Sequence, residues 1–311
     1  MDSIIKRLDA RIRIDSREEW KTVIAPHDDY KYAGEVTYRA LSGIHAKTVV
    51  LFGVAHKAKL FNLENRIIFG SFNHWNAPYG DIPISGLQRE ILKRLPADLW
   101  LVHDSMQRVE HSLEALVPFI QHQNREAEII PIIVPYMNYA RMVEISEALG
   151  AVLADLIREK KLDFGHDIAI AISNDAVHYG DEDWGGKNMA PFGSDSLGNA
   201  RAGRLEREII DSCLVGDITA GKVNRFVRYT VKEEDYHEYR WTWCGRYAVP
   251  LGLLTANTLN KKLLNQPLRG YFLNYANSID HPFYPVEDLG MGTTAPANSR
   301  HWVGYVGMGY K

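Results

Sequence analysis

Thr48-Val-Val-Leu-Phe-Gly-Val54, continued by Ala55-His56, is the stretch on which the fold turns. Seven residues with no charge, rich in β-branched and aromatic side chains, read as a strand buried on both faces. Such a strand belongs in the middle of a largely parallel sheet covered by helices. Upstream, Thr22–Ala25 is a shorter run of the same kind and ends at Pro26-His27. Between the two, Val36, Ala40, Leu41 and Ile44 share one face and predict a helix over residues 34–46. Strand, helix and strand make a βαβ unit with a right-handed crossover. Each strand therefore delivers a histidine just past its carboxyl end, where open α/β sheets bind ligands.

The same alternation continues along the chain. Residues 66–69 and 99–103 predict short strands, with a helix between them from Ser85, as N-cap, to Leu95. Glu110-His111-Ser112 opens a predicted helix reaching Gln123, with Ser112 as cap. Glu128–Val134 and Asp167–Ile172 predict buried strands around a long amphipathic helix over 142–160. The second of these strands runs into Ser173-Asn174-Asp175, with His178 three residues on. A polar stretch over 180–199 holds five glycines and reads as a surface loop. Helices over 200–212 and 219–229 follow, then Trp243-Cys244-Gly245 ahead of a helix through Leu263. Residues 269–276 and 302–308 predict closing strands. The expected fold is a single-domain three-layer α/β/α architecture over 1–311 with a largely parallel or mixed sheet.

Composition narrows the function classes. The 311 residues carry a formal net charge of -3, so there is no basic footprint and nucleic acid is not an expected partner. No run reaches the roughly 18 apolar residues of a membrane span. Met1–Arg13 lacks the apolar centre of a signal peptide, and two cysteines make no disulfide framework. The expected location is the reducing cytoplasm.

The polar cargo of the strand ends is His27, His56, the Asp175/His178 pair and Cys244. Imidazole and thiolate suit Fe, Zn or Cu and not Mg or Ca. Spacing alone is weak evidence, because the chain has no local metal motif, and an isolated histidine after a strand is ordinarily a loop residue. Burial is the ordinary reading for Cys244 alone. Cys213, on a helical face with Ile209 and Ile210, reads as a small core residue. Eight further histidines (His45, His74, His103, His122, His166, His237, His281 and His301) read as structural. Asp175 and His178 admit two readings of equal weight: an acid/base pair in which Asp175 orients the imidazole, or a turn cap and a loop histidine. Glu110 reads as a helix-dipole partner, with His111 turned toward the cleft in the functional version. Asp28 and Asp29 read either as solvated turn residues or as partners of an imidazole.

Taken together these residues carry a resemblance. Ala25-Pro26-His27, with Tyr30 and Tyr32-Ala33-Gly34, resembles the opening motif of the Memo-like family. Gly53-Val54-Ala55-His56, Glu110-His111-Ser112-Leu113-Glu114 with Pro118-Phe119, Ser173–Gly180 and Cys244-Gly245 are similar to its later motifs, in the family's order over about 220 residues. The resemblance implies a fold like that of class III extradiol ring-cleavage dioxygenases, which hold Fe(II) with two His and a carboxylate. It places His27, His56 and Cys244 as metal ligands, with Asp175 and His178 facing the same cleft. It implies Fe(II) as cofactor, with Cu or Zn as substitutes, and a dioxygenase-like or other redox activity. The family's bacterial and archaeal branch, AmmeMemoRadiSam system protein B, occurs beside AMMECR1-type and radical SAM proteins, which makes these the implied partners. Departures include Asp28-Asp29 after His27, Val54-Ala55 before His56, Lys57 after it and Asn174. Two other functions stand beside catalysis. One is a binding or adaptor module that takes a small molecule or peptide in the cleft, using the aromatics Trp75, Tyr79, Trp184 and Trp243. The other is iron handling without turnover.

Overall fold

The computed structural model describes residues 1–14, 18–279, 283–294 and 296–311; His281, read above as structural, lies outside the described residues. Its strands are β1 (Thr22–Ala25), β2 (Thr48–Val54), β3 (Ile67–Phe69), β4 (His74–Trp75), β5 (Ile82–Pro83), β6 (Trp100–Val102), β7 (Glu128–Val134), β8 (Ile168–Ser173), β9 (His178–Gly180), β10 (Gly216–Asp217), β11 (Arg269–Asn277) and β12 (His301–Tyr310). The α-helices are α1 (Asp2–Asp9), α2 (Tyr30–Leu41), α3 (Leu87–Arg94), α4 (Asp104–Val109), α5 (Val117–Gln123), α6 (Tyr139–Lys160), α7 (Ser196–Ile209), α8 (Ala220–Thr230) and α9 (Ala248–Leu264). The main sheet runs β10-β11-β12-β1-β8-β2-β7-β3-β6, with β9 also paired to β12. Its centre, β1-β8-β2-β7, is parallel. Its flanks carry antiparallel pairs, β12 on β1 and β3 on β7. The sheet is therefore mixed, and helices cover both faces.

Side-chain alternation along the central strands decides what each face buries. Val50, Phe52 and Val54 of β2 and Ile168, Ile170 and Ile172 of β8 join the core beneath α6 and α9. Val49 and Leu51, with Ala169 and Ala171, face the core that holds α1, α2 and α5. The Ile-Ala-Ile-Ala-Ile run of β8 thus gives a bulky face and a thin one. Gly252 lets α9 come close on the bulky face: a Cβ there would stand 2.7 Å from Ile172 Cδ1. No helix among the described residues is long and apolar enough to cross a membrane.

The elements depart from the sequence reading in three instructive places. Helix α2 ends at Leu41 and not at residue 46. Gly43 lies against the Trp20 indole and its carbonyl accepts the Trp20 N–H at 2.9 Å, which draws the chain out of the helix. Of the helix predicted over 110–123 only α5 forms; residues 110–116 are an irregular link between α4 and α5. Ser112 does not cap a helix: its hydroxyl accepts Val54 N–H at 2.9 Å and donates to Val54 O at 3.0 Å, closing the end of β2. The polar loop stops at Asp195, whose carboxylate accepts Gly198 N–H at 2.7 Å and starts α7 early.

Candidate metal centre

Each of three parallel neighbours, β1, β8 and β2, places a polar residue two positions past its last residue: His27, Asp175 and His56. Cys244 arrives from the loop before α9. Gly245 permits this, since its amide donates to Asn174 Oδ1 at 3.0 Å and a Cβ would stand only 2.4 Å from that oxygen. One nitrogen each from His27 and His56, and the Cys244 sulfur, lie within 4.8 Å of one another.

Hydrogen bonds fix which nitrogen each imidazole presents. The Ser173 hydroxyl donates to Ser112 O at 2.5 Å, so its oxygen accepts from His27 Nδ1 at 2.7 Å. His56 Nδ1 lies 2.8 Å from Glu110 Oε1 and donates to it. In the neutral form of each ring these bonds put the proton on Nδ1 and leave the lone pair on Nε2, the tautomer in which imidazole ligates a metal. His27 Nε2 stands 3.7 Å from Cys244 Sγ. The sulfur accepts the Asp175 amide N–H at 3.1 Å, a bond that favours thiolate. Burial, and then the Asp175 charge, still hold the thiol well above its ordinary value. Burial, reinforced by His56, His111 and His178, pushes His27 well below the usual imidazole range, toward the neutral ligand form.

Glu110 is the residue the sequence reading undervalued. Besides His56 Nδ1, its carboxylate accepts the backbone N–H of His56 (2.7 Å), His111 (3.0 Å) and Ser112 (2.9 Å). Burial opposes its ionisation, but the His56 bond and these amides win and keep the carboxyl below its ordinary range. A helix-dipole role does not describe it. Through Glu110 and Ser112, one three-residue segment orients both imidazoles.

Asp175 and His178 do not form a pair. Asp175 Oδ1 accepts His27 N–H at 2.9 Å and Oδ2 lies 3.2 Å from His27 Nε2. Burial and the nearby Asp28 charge raise its carboxyl well above the usual range. His178 Nδ1 instead lies 3.2 Å from Thr242 O, and its ring meets Trp184 edge-on at 5.4 Å. Burial lowers the His178 imidazole. His111 is at the cleft: its ring stacks on His56 at 4.6 Å and lies 5.7 Å from His27. It also joins His56 and Glu110 in a second group whose ligand atoms converge. Asp28 and Asp29 are half-buried, and neither hydrogen-bonds an imidazole. Asp28 accepts the Tyr305 hydroxyl at 2.6 Å, and Asp29 accepts Thr294 N–H at 2.6 Å. Cys213 is buried in the core as expected.

Of the aromatics proposed for a docking face, Trp243 is fully buried and donates to Glu206, while Trp75, Tyr79 and Trp184 are half-buried, with Trp184 stacked on His301 at 3.8 Å. Tyr79 lies under the Arg125 guanidinium. Beside the centre is a cavity of about 580 Å³ that touches both His56 and Cys244. Its lining includes His237, which the sequence offered no reason to single out.

Fold and site define the class: a three-layer α/β protein with a histidine–cysteine cluster, able to hold a metal, at the carboxyl ends of its central parallel strands. Comparison with known proteins then fixes the family. A family model described as Memo-like protein matches residues 1–285, and the chain belongs to that family. It is 27% identical over 263 residues to a MEMO1 family protein of Aquifex aeolicus, covering 84% of this chain and 79% of that one. A MEMO1 family protein of Methanosarcina mazei is 28% identical over 259 residues (83% and 78%), and one of Pyrococcus abyssi is 27% identical over 247 (77% and 76%).

Proposed function

We propose that this protein binds one transition-metal ion, Fe(II) first and Cu or Zn as alternatives, through His27, His56 and Cys244. Its activity would be a dioxygenase-like or other redox reaction on a small molecule held in the adjoining cavity. The observation that carries this reading is the convergence of one nitrogen each from His27 and His56 on a sulfur that already accepts an amide N–H. That donor set fits a borderline or soft metal and leaves coordination positions open on the cavity side.

Bound there, such an ion would supply Lewis acidity and electron exchange. The protein's own contribution is orientation and proton control. Ser173 and Glu110 hold the Nδ1 protons of the two ligand imidazoles. Asp175 fixes the His27 backbone and contacts its ring. His111, exposed beside His56, is placed to touch a ligand. His178 would serve as acid or base without help from Asp175. An oxidisable thiolate ligand suits a reducing cytoplasm.

Fe(II) titrated anaerobically should bind at about one ion per chain. The paired substitution His27→Ala and Cys244→Ala should abolish that binding; unchanged stoichiometry and affinity would refute the ligand assignment. Thiolate donates more charge than carboxylate, so ring-opening of simple catechols should be weak, and rapid turnover of catechol would count against this electronic argument.

A further inference from the structure

The cavity beside the cluster contains a buried positive charge with no partner of opposite sign. Arg246, two residues past Cys244, lines the cavity and is 3% exposed. Its Nη2 donates to the His237 carbonyl at 2.9 Å, while Nε has no partner. Among the described residues no carboxylate lies within ion-pair distance of it. Its charge is met by neutral groups: the Tyr239 ring, 3.3 Å from the guanidinium carbon, with Tyr247 at 4.7 Å and Tyr136 at 5.8 Å.

The three acids of the cavity wall make no ion pair with it. Asp235 and Glu64 both turn to His237, at 2.8 Å on Nδ1 and 3.1 Å on Nε2, and Glu64 also accepts the Tyr236 hydroxyl at 2.6 Å, while Glu238 is exposed to solvent. Stacking on tyrosine recovers only part of what it costs to leave a buried charge unpaired. A guanidinium kept in that state beside an open cavity is a half-built anion site, since its planar fork matches a carboxylate.

We propose that the cavity binds a small organic carboxylate, with its anion on Arg246, its body between the Tyr136, Tyr239 and Tyr247 rings, and its other end toward His56 and Cys244. The volume of about 580 Å³ suits a ligand of that size. This names the substrate class for the metal-centre reading and rests on it only for which end reacts.

The test uses full-length, chelator-treated protein, so that binding is read without metal or turnover. Acetate, pyruvate, succinate and benzoate are titrated calorimetrically, each beside its neutral amide, with inorganic phosphate as a separate arm. At least one carboxylate should bind while its amide does not. Arg246→Gln should weaken it about tenfold or more, the worth of a charge-assisted pair. Arg246→Lys keeps the charge without the fork and should weaken it less while keeping the preference over the amide. If Arg246→Gln does not fold, the lysine variant decides alone. Fe(II) titrated anaerobically into Arg246→Gln should still bind at about one ion per chain, which separates failure of this site from failure of the metal centre. No binding by any carboxylate, equal binding of acid and amide, tighter binding of phosphate, or unchanged affinity in Arg246→Gln each overturns the proposal.

Discussion

Replacing Glu206 with glutamine should change how stability depends on pH. Glu206 is fully buried and accepts the Trp241 and Trp243 indole N–H groups, both at 2.6 Å, on one oxygen. The other oxygen accepts Val177 N–H at 3.1 Å and the Tyr275 hydroxyl at 3.4 Å. This carboxyl therefore ties the segment after β8 to the loop that carries Cys244. Burial pushes it up from 4.5 to about 7, against the pull of the two indoles and the amide. Below about 4.5 folded and unfolded chains both hold the proton. Between 4.5 and 7 only the folded chain holds it, so its contribution to stability falls as pH rises. At about 1.4 kcal/mol per pH unit the fall totals about 3.5 kcal/mol and ends above the folded value. Glutamine keeps the shape and one acceptor but cannot titrate. The unfolding free energy of the native chain relative to Glu206→Gln should thus drop by about 3 kcal/mol from pH 5 to pH 8. Urea melts at the two pH values, followed by tryptophan fluorescence, measure this, and all other titrating groups cancel in the difference. A difference that stays constant, or grows with pH, would refute the argument, because the four donors would then outweigh burial and keep the carboxylate charged.

Other substitutions test the scaffold of the metal centre. Glu110→Gln leaves His56 without its anionic partner and sets an amide NH2 against backbone donors. Affinity for Fe(II) should fall about 10- to 100-fold in an anaerobic titration, with the His56 imidazole shifted in its NMR spectrum. Ser112→Ala orphans the buried Val54 N–H and removes the carbonyl's hydroxyl partner, so it should cost about 1–3 kcal/mol in a denaturant melt. Gly245→Ala sets a methyl 2.4 Å from Asn174 Oδ1, and should cost about 1–3 kcal/mol and weaken metal binding by displacing the Cys244 loop. Unchanged melting and metal affinity in Gly245→Ala would show that Asn174 yields without moving the loop.

What the sequence determined by itself is local. The runs over 22–25, 48–54 and 128–134 are strands with the residues their composition predicts, because apolar, β-branched runs, uncharged but for Glu128 at one end, have nowhere to go but a doubly covered sheet. Their order, with histidines two residues past two carboxyl ends, already places His27 and His56 at one edge of the sheet. The ordered motifs pointed to the family to which the chain belongs. Contacts between distant residues were not legible, since nothing local specifies them. His56 and Glu110 are 54 positions apart, His27 and Asp175 are 148 apart, and Cys244 and His27 are 217 apart. Asp175 and His178 looked like a pair because they are neighbours in sequence, but β9 begins at His178 and carries its ring to Thr242 and Trp184, while Asp175 stays under His27. Glu110 and Ser112 looked like helix-start residues, yet the end of β2 offered open donors that a solvated helix end would not need. Arg246 has no motif of its own. Its meaning comes from burial without a counter-charge, a property that exists only once the chain has folded around it.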